Sequence, residues 1–332
     1  MNRQLAHKLV PAVGLGCMGM SEFYGPVNRS SSLRNLEKAY DTGYRHFDTA
    51  DMYGRGHNES LLGEFISRLG DRRQNLLVAS KVGIRRSEAE KYKVQIDGSK
   101  AYIKSACDRS LQRLGVERID LYYLHRQDPR VPIEESVGAL AELVQEGKIA
   151  AIGLCEVSAE TLRKATSVHP ISAVQSEYSL WTRTPELDIL PECERLGIPF
   201  VAYSPLGRGF LAGGVTKKYI EGASAESDFR KILPRFSEEN LERNLALVTQ
   251  LKAISDSLGL RPSQTALSWI LSRRQDMHVI PGTKRESFLA ENFSSKDISL
   301  APSMVQQLKD VFRSDSVFGE RYPVPLSAVP AK

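Results

Sequence analysis

The sequence predicts an α/β protein that folds as a single (β/α)8 TIM barrel, with an extra helix and a long loop after the seventh strand. Three observations support this prediction: strand-like and helix-like patterns alternate throughout, eight strand-like runs can be counted, and no linker divides the 332 residues. Alternation of apolar strands with helices favours a parallel sheet, and eight such units suit one closed barrel. We therefore expect one domain over 1–332 that ends in an irregular tail, 318–332.

The eight strand-like runs are short apolar segments at 12–18, 44–47, 76–80, 119–124, 150–155, 173–176, 198–202 and 277–280. Between them, apolar residues recur at helical spacing. Glycines follow several of these helix patterns and precede the next apolar run, where a helix commonly ends in a left-handed residue. These glycines are Gly43, Gly70, Gly115, Gly147 and Gly197.

Two segments depart from the eightfold repeat. The segment 206–239 has no clear periodicity and is much longer than an ordinary strand-to-helix loop, so we expect it to cover a pocket. Two helix patterns, 241–258 and 262–272, then follow in succession, which makes one helix surplus to the barrel. The tail 318–332 is expected either to lie over the barrel mouth or to be disordered.

Composition and charge exclude several classes of protein. The net charge is only +5, and the basic residues occur as scattered pairs, which gives little support to a nucleic-acid or membrane partner. The four cysteines and six histidines lack the spacing of a disulfide framework or a metal site. The N-terminal residues lack a signal-peptide pattern, which predicts a cytoplasmic protein. The oligomeric state stays open.

Four polar side chains stand at or near the ends of neighbouring strand-like runs: Asp48, Tyr53, Lys81 and His125. If these runs are adjacent parallel strands, their C-terminal ends bring an acid, a phenol, an ammonium and an imidazole into one pocket. Such a cluster suits delivery of a proton to a carbonyl oxygen.

The phenol of Tyr53 needs help to act as an acid at neutral pH, because the pKa of a free phenol is about 10. Lowering that pKa by two requires roughly 2.7 kcal/mol of extra stabilisation of the phenolate. An ammonium about 4 Å away supplies roughly 4 kcal/mol at an effective dielectric constant near 20. We therefore expect Lys81 to tune Tyr53, Asp48 to keep Lys81 charged, and His125 to orient the carbonyl.

Five motifs in order give the chain a resemblance to the aldo-keto reductases over roughly 10–311. They are Phe-Asp-Thr-Ala-Asp-x-Tyr-Gly at 47–54, Ser-Lys at 80–81, Asp-Leu-Tyr-Tyr-Leu-His at 120–125, Ala-Tyr-Ser-Pro-Leu-Gly-Arg-Gly at 202–209 and Ile-Pro-Gly-Thr-Lys-Arg at 280–285. The chain is most similar to the bacterial, fungal and plant branch that reduces assorted aldehydes and ketones, including pyridoxal-reductase-like members. The resemblance implies reduction of a small-molecule carbonyl substrate by NADPH, with Tyr53 as general acid.

The resemblance also implies a set of residues that bind NADPH/NADP+. Tyr203 corresponds to the aromatic that stacks on the nicotinamide, and Gln175 to the residue that binds the carboxamide. Ser204, Leu206 and Arg208 begin the segment that folds over the pyrophosphate. Gly282, Thr283, Lys284 and Arg285 lie where a strand meets a helix N-terminus, an anion site that favours a 2′-phosphate. Glu291 and Asn292 correspond to adenine contacts, whereas Cys155 is a weak donor at a further nicotinamide position.

Substrate residues are predicted from position alone: Tyr24, Trp181 and Phe229, whose rings suit an apolar or planar carbonyl compound. An alternative function remains open, because potassium-channel β subunits resemble aldo-keto reductases and act chiefly as nucleotide-binding regulatory partners. Alcohol oxidation by the same site is also open. The Gly-x-Gly-x-x-Gly at 14–19 is not followed by a helix pattern, which argues against a Rossmann site.

Overall fold

The computed structural model describes residues 1–87 and 93–323, which form an eight-stranded parallel sheet surrounded by helices. Within these residues the strands are β1 (Asn2–Leu5), β2 (Lys8–Pro11), β3 (Leu15–Gly16), β4 (His46–Asp48), β5 (Leu77–Val82), β6 (Ile84–Arg86), β7 (Val94–Ile96), β8 (Leu121–Leu124), β9 (Ile152–Cys155), β10 (Ala173–Glu177), β11 (Phe200–Tyr203) and β12 (Met277–Val279). The large sheet has the order β12-β11-β10-β9-β8-β5-β4-β3.

The sheet closes on itself between its last strand and the segment before its first. Val13 and Val279 form a parallel bridge. The Gly14 amide donates to the carbonyl of Val279 at 2.8 Å, and the Val279 amide donates to that of Ala12 at 2.9 Å. Because both edges of the sheet are paired in this way, the prediction of a (β/α)8 barrel is confirmed.

The helices cover the outside of the barrel. In the described part of the chain they are α1 (Arg29–Thr42), α2 (His57–Leu69), α3 (Lys100–Leu114), α4 (Ile133–Gln145), α5 (Ala159–Val168), α6 (Ile189–Leu196), α7 (Lys217–Glu221), α8 (Glu238–Ser257), α9 (Pro262–Leu271), α10 (Glu286–Ser294) and α11 (Pro302–Val311). Asn28, Ser99 and Ser158 cap α1, α3 and α5 with side-chain oxygens that accept backbone N–H bonds. None of the described helices has the length and apolar character needed to cross a bilayer.

The five glycines predicted to end helices all have a positive φ, between 54° and 115°. The predicted surplus helix is also present, since α8 and α9 both lie between β11 and β12. The segment 206–239, which has no clear sequence periodicity, contains the one-turn helix α7 and several 3-10 turns. Residues 318–323 of the predicted tail are described, and 324–332 lie outside the described residues.

The structure contains two β-hairpins that the sequence analysis did not predict. β1 and β2 pair antiparallel, and their Leu5 and Val10 pack with the interior residues Leu77, Leu121 and Val201, which lie at the start of barrel strands. This hairpin therefore fills the N-terminal end of the barrel. The predicted first strand, 12–18, is correspondingly shorter, with β3 limited to two residues. The second hairpin, β6 with β7, extends the connection after β5 beside the opposite end.

The helix pair α2 and α3 packs so closely that no side chain fits at Gly63. A Cβ at this position would lie 2.3 Å from the backbone oxygen of Arg113 and 3.0 Å from the Cα of Leu114. We expect Gly63→Ala to destabilise the protein by about 1–3 kcal/mol, the usual range for overpacking, because backbone rather than a flexible side chain must move. Urea unfolding measures this change.

Gly138→Ala in α4 is the matched control. Nothing lies within 4 Å of the Cβ that alanine would add there. Since alanine favours the helix over glycine by up to about 1 kcal/mol, the control should be neutral or more stable than the wild type. Equal losses in the two variants would contradict the tight helix contact.

Candidate active site

The four polar residues predicted to cluster do come together at the C-terminal ends of the barrel strands. Asp48 is the last residue of β4, Lys81 lies near the end of β5, and His125 directly follows β8. The strand register pairs Asp48 with Ala79 and Lys81 with Tyr123, so successive strands present these side chains side by side. Tyr53 reaches the same place from the turn that precedes α2.

Lys81 is at the centre of this cluster and is fully buried. Its ammonium donates to Asp48 Oδ1, to the carbonyl of Thr49 at 2.8 Å and to the hydroxyl of Tyr53 at 3.3 Å. Gln175 Nε2 donates to the other carboxylate oxygen, Asp48 Oδ2, at 2.8 Å. Because both oxygens of Asp48 accept hydrogen bonds, the carboxyl group is ionised and pairs with a charged lysine.

The pKa of Lys81 is raised even though the residue is buried. Burial opposes the charged form, but the attraction of Asp48, joined by Tyr53 and Cys155, outweighs it. Burial also raises the pKa of Asp48, against the opposing effects of Lys81 and Gln175. The ammonium therefore stays protonated next to Tyr53 across the physiological pH range.

The pKa of Tyr53 differs from the sequence-based expectation. Burial raises the pKa of this phenol to about 12, and Lys81 only partly offsets the rise. The expected net lowering is therefore wrong for this structure, because the argument from charge alone left out the desolvation of the phenolate. The phenol is fully protonated at neutral pH.

His125 lies beside Tyr53, with ring centroids 5.9 Å apart and planes at 82°. Burial, together with the positive charges of Lys81 and Arg126, holds the pKa of its imidazole well below the ordinary value. The ring is therefore neutral. Its Nδ1 is buried and has no hydrogen-bond partner within residues 1–87 and 93–323. Depending on the tautomer, this nitrogen can donate one hydrogen bond to a bound ligand or accept one from it.

Tyr53 and His125 face a cavity of about 940 Å³ at the mouth of the barrel. Asp48 and Lys81 do not line this cavity and lie behind Tyr53. The volume falls within the range of small-molecule sites. The cavity walls also contain predicted cofactor residues, namely Gln175, Tyr203, Ser204 and Arg208.

Tyr203 ends β11, and its buried hydroxyl has no partner among the described residues. The chain then turns sharply: Ser204 and Arg208 both have positive φ, 47° and 60°. Between them, Gly207 has a φ of 55°, and a Cβ there would meet the Trp181 ring at 2.7 Å. Leu206 is buried in the same turn. Positive φ in three successive residues, Gly207 to Gly209, makes the chain turn tightly here, and the amides of Gly207 and Gly209 donate within the turn to the carbonyls of Ser204 and Leu206.

The residues predicted to bind the adenosine end of a dinucleotide lie after β12. Gly282 packs against the backbone of Gly16. Arg285 occupies the position just before α10 and is exposed, and its amide donates to Thr283 Oγ1 at 3.0 Å. Lys284 Nζ donates to the backbone carbonyls of Tyr24 at 2.5 Å and Pro26 at 3.2 Å.

Both predicted adenine contacts lie in α10. Glu291 is partly buried and accepts a hydrogen bond from Ser263. Asn292 is buried, with 2% of its surface exposed. The predicted adenosine-end residues thus share one edge of the barrel, around the end of β12 and the start of α10.

The predicted substrate residues are only partly brought together. Phe229 and Trp181 line the cavity, although Trp181 also stacks on Phe210 with centroids 4.1 Å apart. Tyr24 does not line it, and its neighbour Phe23 does. Phe23 has a positive φ of 75°, a conformation uncommon for a non-glycine residue, and the sequence alone gives no cue to it.

The described part of the tail, 318–323, contributes to the cavity wall through Gly319, Glu320, Arg321 and Tyr322. Arg321 Nη2 pairs with Glu156 Oε2 at 2.6 Å, and the hydroxyl of Tyr322 accepts from Arg208 at 3.0 Å.

Cys155 lines the cavity, and burial raises the pKa of its thiol to about 12. The sequence analysis did not predict the ion pairs of the buried Glu156 and Glu177. Their partners, Arg321 and Arg208, lie 165 and 31 positions away along the chain, and no local pattern marks a partner at such a separation.

Comparison with known proteins agrees with this architecture. The model described as "Aldo/keto reductase family" matches residues 12–313. The chain is 40% identical, over 324 residues, to aldo-keto reductase yakc (NADP(+)) of Schizosaccharomyces pombe, covering 97% of this chain and 94% of that protein. The glycerol dehydrogenase AKR11B4 of Gluconobacter oxydans superposes with a TM-score of 0.84 at 27% identity, over 93% and 94% of the two chains. Aldo-keto reductase AKR11C1 of Bacillus halodurans, in its holo form, gives 0.75 at 26%, over 96% and 97%.

A barrel with ionisable side chains gathered at the C-terminal ends of its strands, facing a cavity, has the architecture of a barrel enzyme. With the matched family model and the yeast relative, the class becomes specific. The chain belongs to the aldo/keto reductase family.

The buried pair of Asp48 and Lys81 leads to a prediction about stability and pH. We expect Asp48→Asn to cost about 3–5 kcal/mol at pH 7, because it leaves the buried ammonium unpaired. Burial would then lower the folded-state pKa of Lys81 below its unfolded value of about 10.4. The native variant therefore loses its proton before the unfolded chain does, and its stability deficit should shrink between pH 7 and 10.

Urea unfolding at several pH values measures this deficit against the wild type. In the wild type the pKa of Lys81 is raised, so its contribution is fully present below about pH 10.4 and is lost only above that value. The double variant Asp48→Asn/Lys81→Met removes the titrating amine and serves as the control with a pH-independent deficit. A deficit in Asp48→Asn that stays constant with pH would contradict the account.

Proposed function

We propose that this protein is an NADPH-dependent oxidoreductase that reduces aldehydes or ketones to alcohols, with Tyr53 as the general acid. The observation that carries the proposal is the Tyr53 hydroxyl, which lies 3.3 Å from the buried ammonium of Lys81 and faces the cavity beside His125. This arrangement places a proton and the charge that eases its departure next to the space where a carbonyl oxygen would lie.

The high pKa of Tyr53 suits this role. A pKa of about 12 ensures that the proton is present before the reaction. Reduction of a carbonyl group produces an alkoxide, a base of about the strength of hydroxide, whose conjugate acid in water has a pKa of about 15.7. Proton transfer from the phenol to that oxygen is therefore favourable without prior ionisation.

Lys81 and Asp48 support the transfer from behind. As the proton leaves Tyr53, the ammonium 3.3 Å away gains an attraction to the phenolate of about 5 kcal/mol at an effective dielectric constant near 20. Asp48 holds Lys81 in the charged form, and Gln175 fixes the carboxylate. The electrostatic field is set before substrate arrives, which is the arrangement that lowers a barrier most.

His125 would hydrogen-bond the carbonyl oxygen and orient it toward Tyr53. A neutral imidazole is a far weaker acid than the phenol next to it, so His125 positions the oxygen and leaves the proton donation to Tyr53. The T-shaped contact between the two rings holds both groups toward the same part of the cavity.

The residues present fit a dinucleotide. Three features follow one another around the barrel mouth. They are the Tyr203 hydroxyl, which has no hydrogen-bond partner among the described residues, the left-handed turn at Ser204 and Arg208, and the cations just before α10. We assign Tyr203, Gln175 and the Ser204–Arg208 turn to the nicotinamide and pyrophosphate end, and Lys284, Arg285, Glu291 and Asn292 to the adenosine end. Bound NADPH would supply the hydride. A relative with NADP(+) in its name supports this cofactor.

Removal of the Tyr53 hydroxyl tests the assignment of the acid. Tyr53→Phe should reduce kcat by at least 1,000-fold in a spectrophotometric assay of NADPH consumption with a panel of aldehydes, because the phenyl ring has no proton to give. The Kd for NADPH, measured by fluorescence titration, should change by less than a few fold.

Tyr102→Phe is the matched control, since its hydroxyl lies on α3 outside the cavity. It should retain full turnover. An active Tyr53→Phe enzyme would exclude Tyr53 as the acid. A wild-type protein that binds NADPH tightly and reduces no aldehyde would instead favour the nucleotide-binding regulatory function.

The cations near α10 test the choice of NADPH over NADH. Arg285→Ala should raise the Kd for NADPH by about 10-fold or more, the usual loss for one hydrogen bond to a charged group, and leave the Kd for NADH within threefold. Arg118→Ala, an exposed arginine just before β8 at the other end of the barrel, should change neither constant. A parallel loss for both cofactors would contradict a 2′-phosphate contact.

A further inference from the structure

The cavity wall holds more positive charge than its own carboxylates neutralise. Arg208 pairs with Glu177 at 3.2 Å, and Arg321 pairs with Glu156 at 2.6 Å. Arg126, the residue after His125, also lines the cavity, and no carboxylate of residues 1–87 and 93–323 forms an ion pair with it. Among the arginines of this wall, Arg126 is therefore a cation without an ionic partner in the described part of the chain.

Glu156 is the nearest source of compensation for Arg126, and it is already engaged. Its Oε1 accepts from the Glu177 amide at 2.7 Å, and its Oε2 pairs with Arg321. Arg126 therefore feels the field of Glu156 without a direct bond to it. The Arg126 guanidinium is thus a buried charge that no carboxylate of residues 1–87 and 93–323 bonds directly.

Most of the N–H donors of Arg126 also have no hydrogen-bond partner among residues 1–87 and 93–323. A guanidinium has five N–H donors. One terminal nitrogen donates to the carbonyl of His125 at 2.7 Å, which anchors the side chain beside the catalytic pocket. Arg235 also lines the cavity and forms no ion pair within the described residues, but its N–H groups are engaged: they donate to the carbonyls of Trp181 at 2.8 Å and Gly319 at 3.2 Å. The donors of Arg126 are the ones free to meet a ligand.

Arg126 lies far from the cations assigned to the adenosine phosphate. In the barrel order, β8 is four strands away from β12, the largest separation that eight closed strands allow. Lys284 and Arg285 follow β12, and Arg126 follows β8 one residue after His125. Its position is therefore at the substrate end of the cavity.

We propose that Arg126 binds a carboxylate on the aldehyde or ketone substrate, so that the site prefers carbonyl compounds with a negative charge. A planar guanidinium with available N–H donors matches a carboxylate in two parallel hydrogen bonds. This inference rests on the proposed carbonyl reduction and names the class of substrate for it.

The test compares 4-carboxybenzaldehyde with methyl 4-formylbenzoate, which has a similar shape and no charge. The wild type should show a kcat/KM at least 10-fold higher for the acid. Arg126→Gln should lower kcat/KM for the acid by about 10- to 100-fold, the usual range for a hydrogen bond to a charged group, and leave the ester and the Kd for NADPH within threefold. Arg126→Lys should restore part of the loss.

Arg313→Gln is the matched control, because Arg313 lines the rim of the cavity and its exposed side chain pairs with Asp315. It should leave both substrates unchanged. Equal losses for acid and ester in Arg126→Gln, a raised Kd for NADPH, or a wild type without preference for the acid would each overturn the proposal. A wild type that reduces neither compound, nor any aldehyde, would instead overturn the proposed function itself.

Discussion

The buried ion pair between Lys81 and Asp48 is the interaction on which the site depends. Two full charges inside a barrel are tolerated only when they are paired and hydrogen-bonded, and here the ammonium meets a carboxylate, a backbone carbonyl and a phenol. The pair lies behind the cavity, so solvent does not screen it. Its cost in desolvation is offset by the pairing, and its field acts on Tyr53.

The barrel makes this pair possible. Parallel strands in register bring the ends of β4, β5 and β8 together, and the layer of side chains beneath them is a packed apolar cluster closed from below by the β1–β2 hairpin. This packed apolar layer supports Lys81 and Asp48 from below. The loops and the tail above can then vary in charge and shape without disturbing the acid.

A second layer of charge lies above the first and has a different character. Glu156 is buried in the cavity wall and Glu177 is buried beside it, and they pair with arginines from the tail and from the loop after β11. This layer joins distant parts of the chain across the barrel mouth. This upper layer contributes to the charge of the cavity wall, whereas the Lys81–Asp48 pair below it acts on Tyr53, the proposed proton donor.

The sequence by itself determined the repeating features: eight strand-like runs, the surplus helix, the glycine helix ends and the four polar residues at strand ends. Each of these follows from local periodicity or from residues at fixed places in a repeat, and the resemblance to the aldo-keto reductases rested on motifs of that kind. Residues after strand ends are predictable because parallel strands must present them at one edge of the sheet.

Only the tertiary structure decided the rest. Desolvation raised the pKa of Tyr53 to about 12, against the lowering expected from Lys81, because burial depends on everything packed around the ring. The backbone reversal at Phe23, the hairpins β1–β2 and β6–β7, and the pairing of Arg321 with Glu156 likewise left no local signal. Solvent exclusion and long-range pairing are properties of the folded chain, and spacing along a sequence does not encode them.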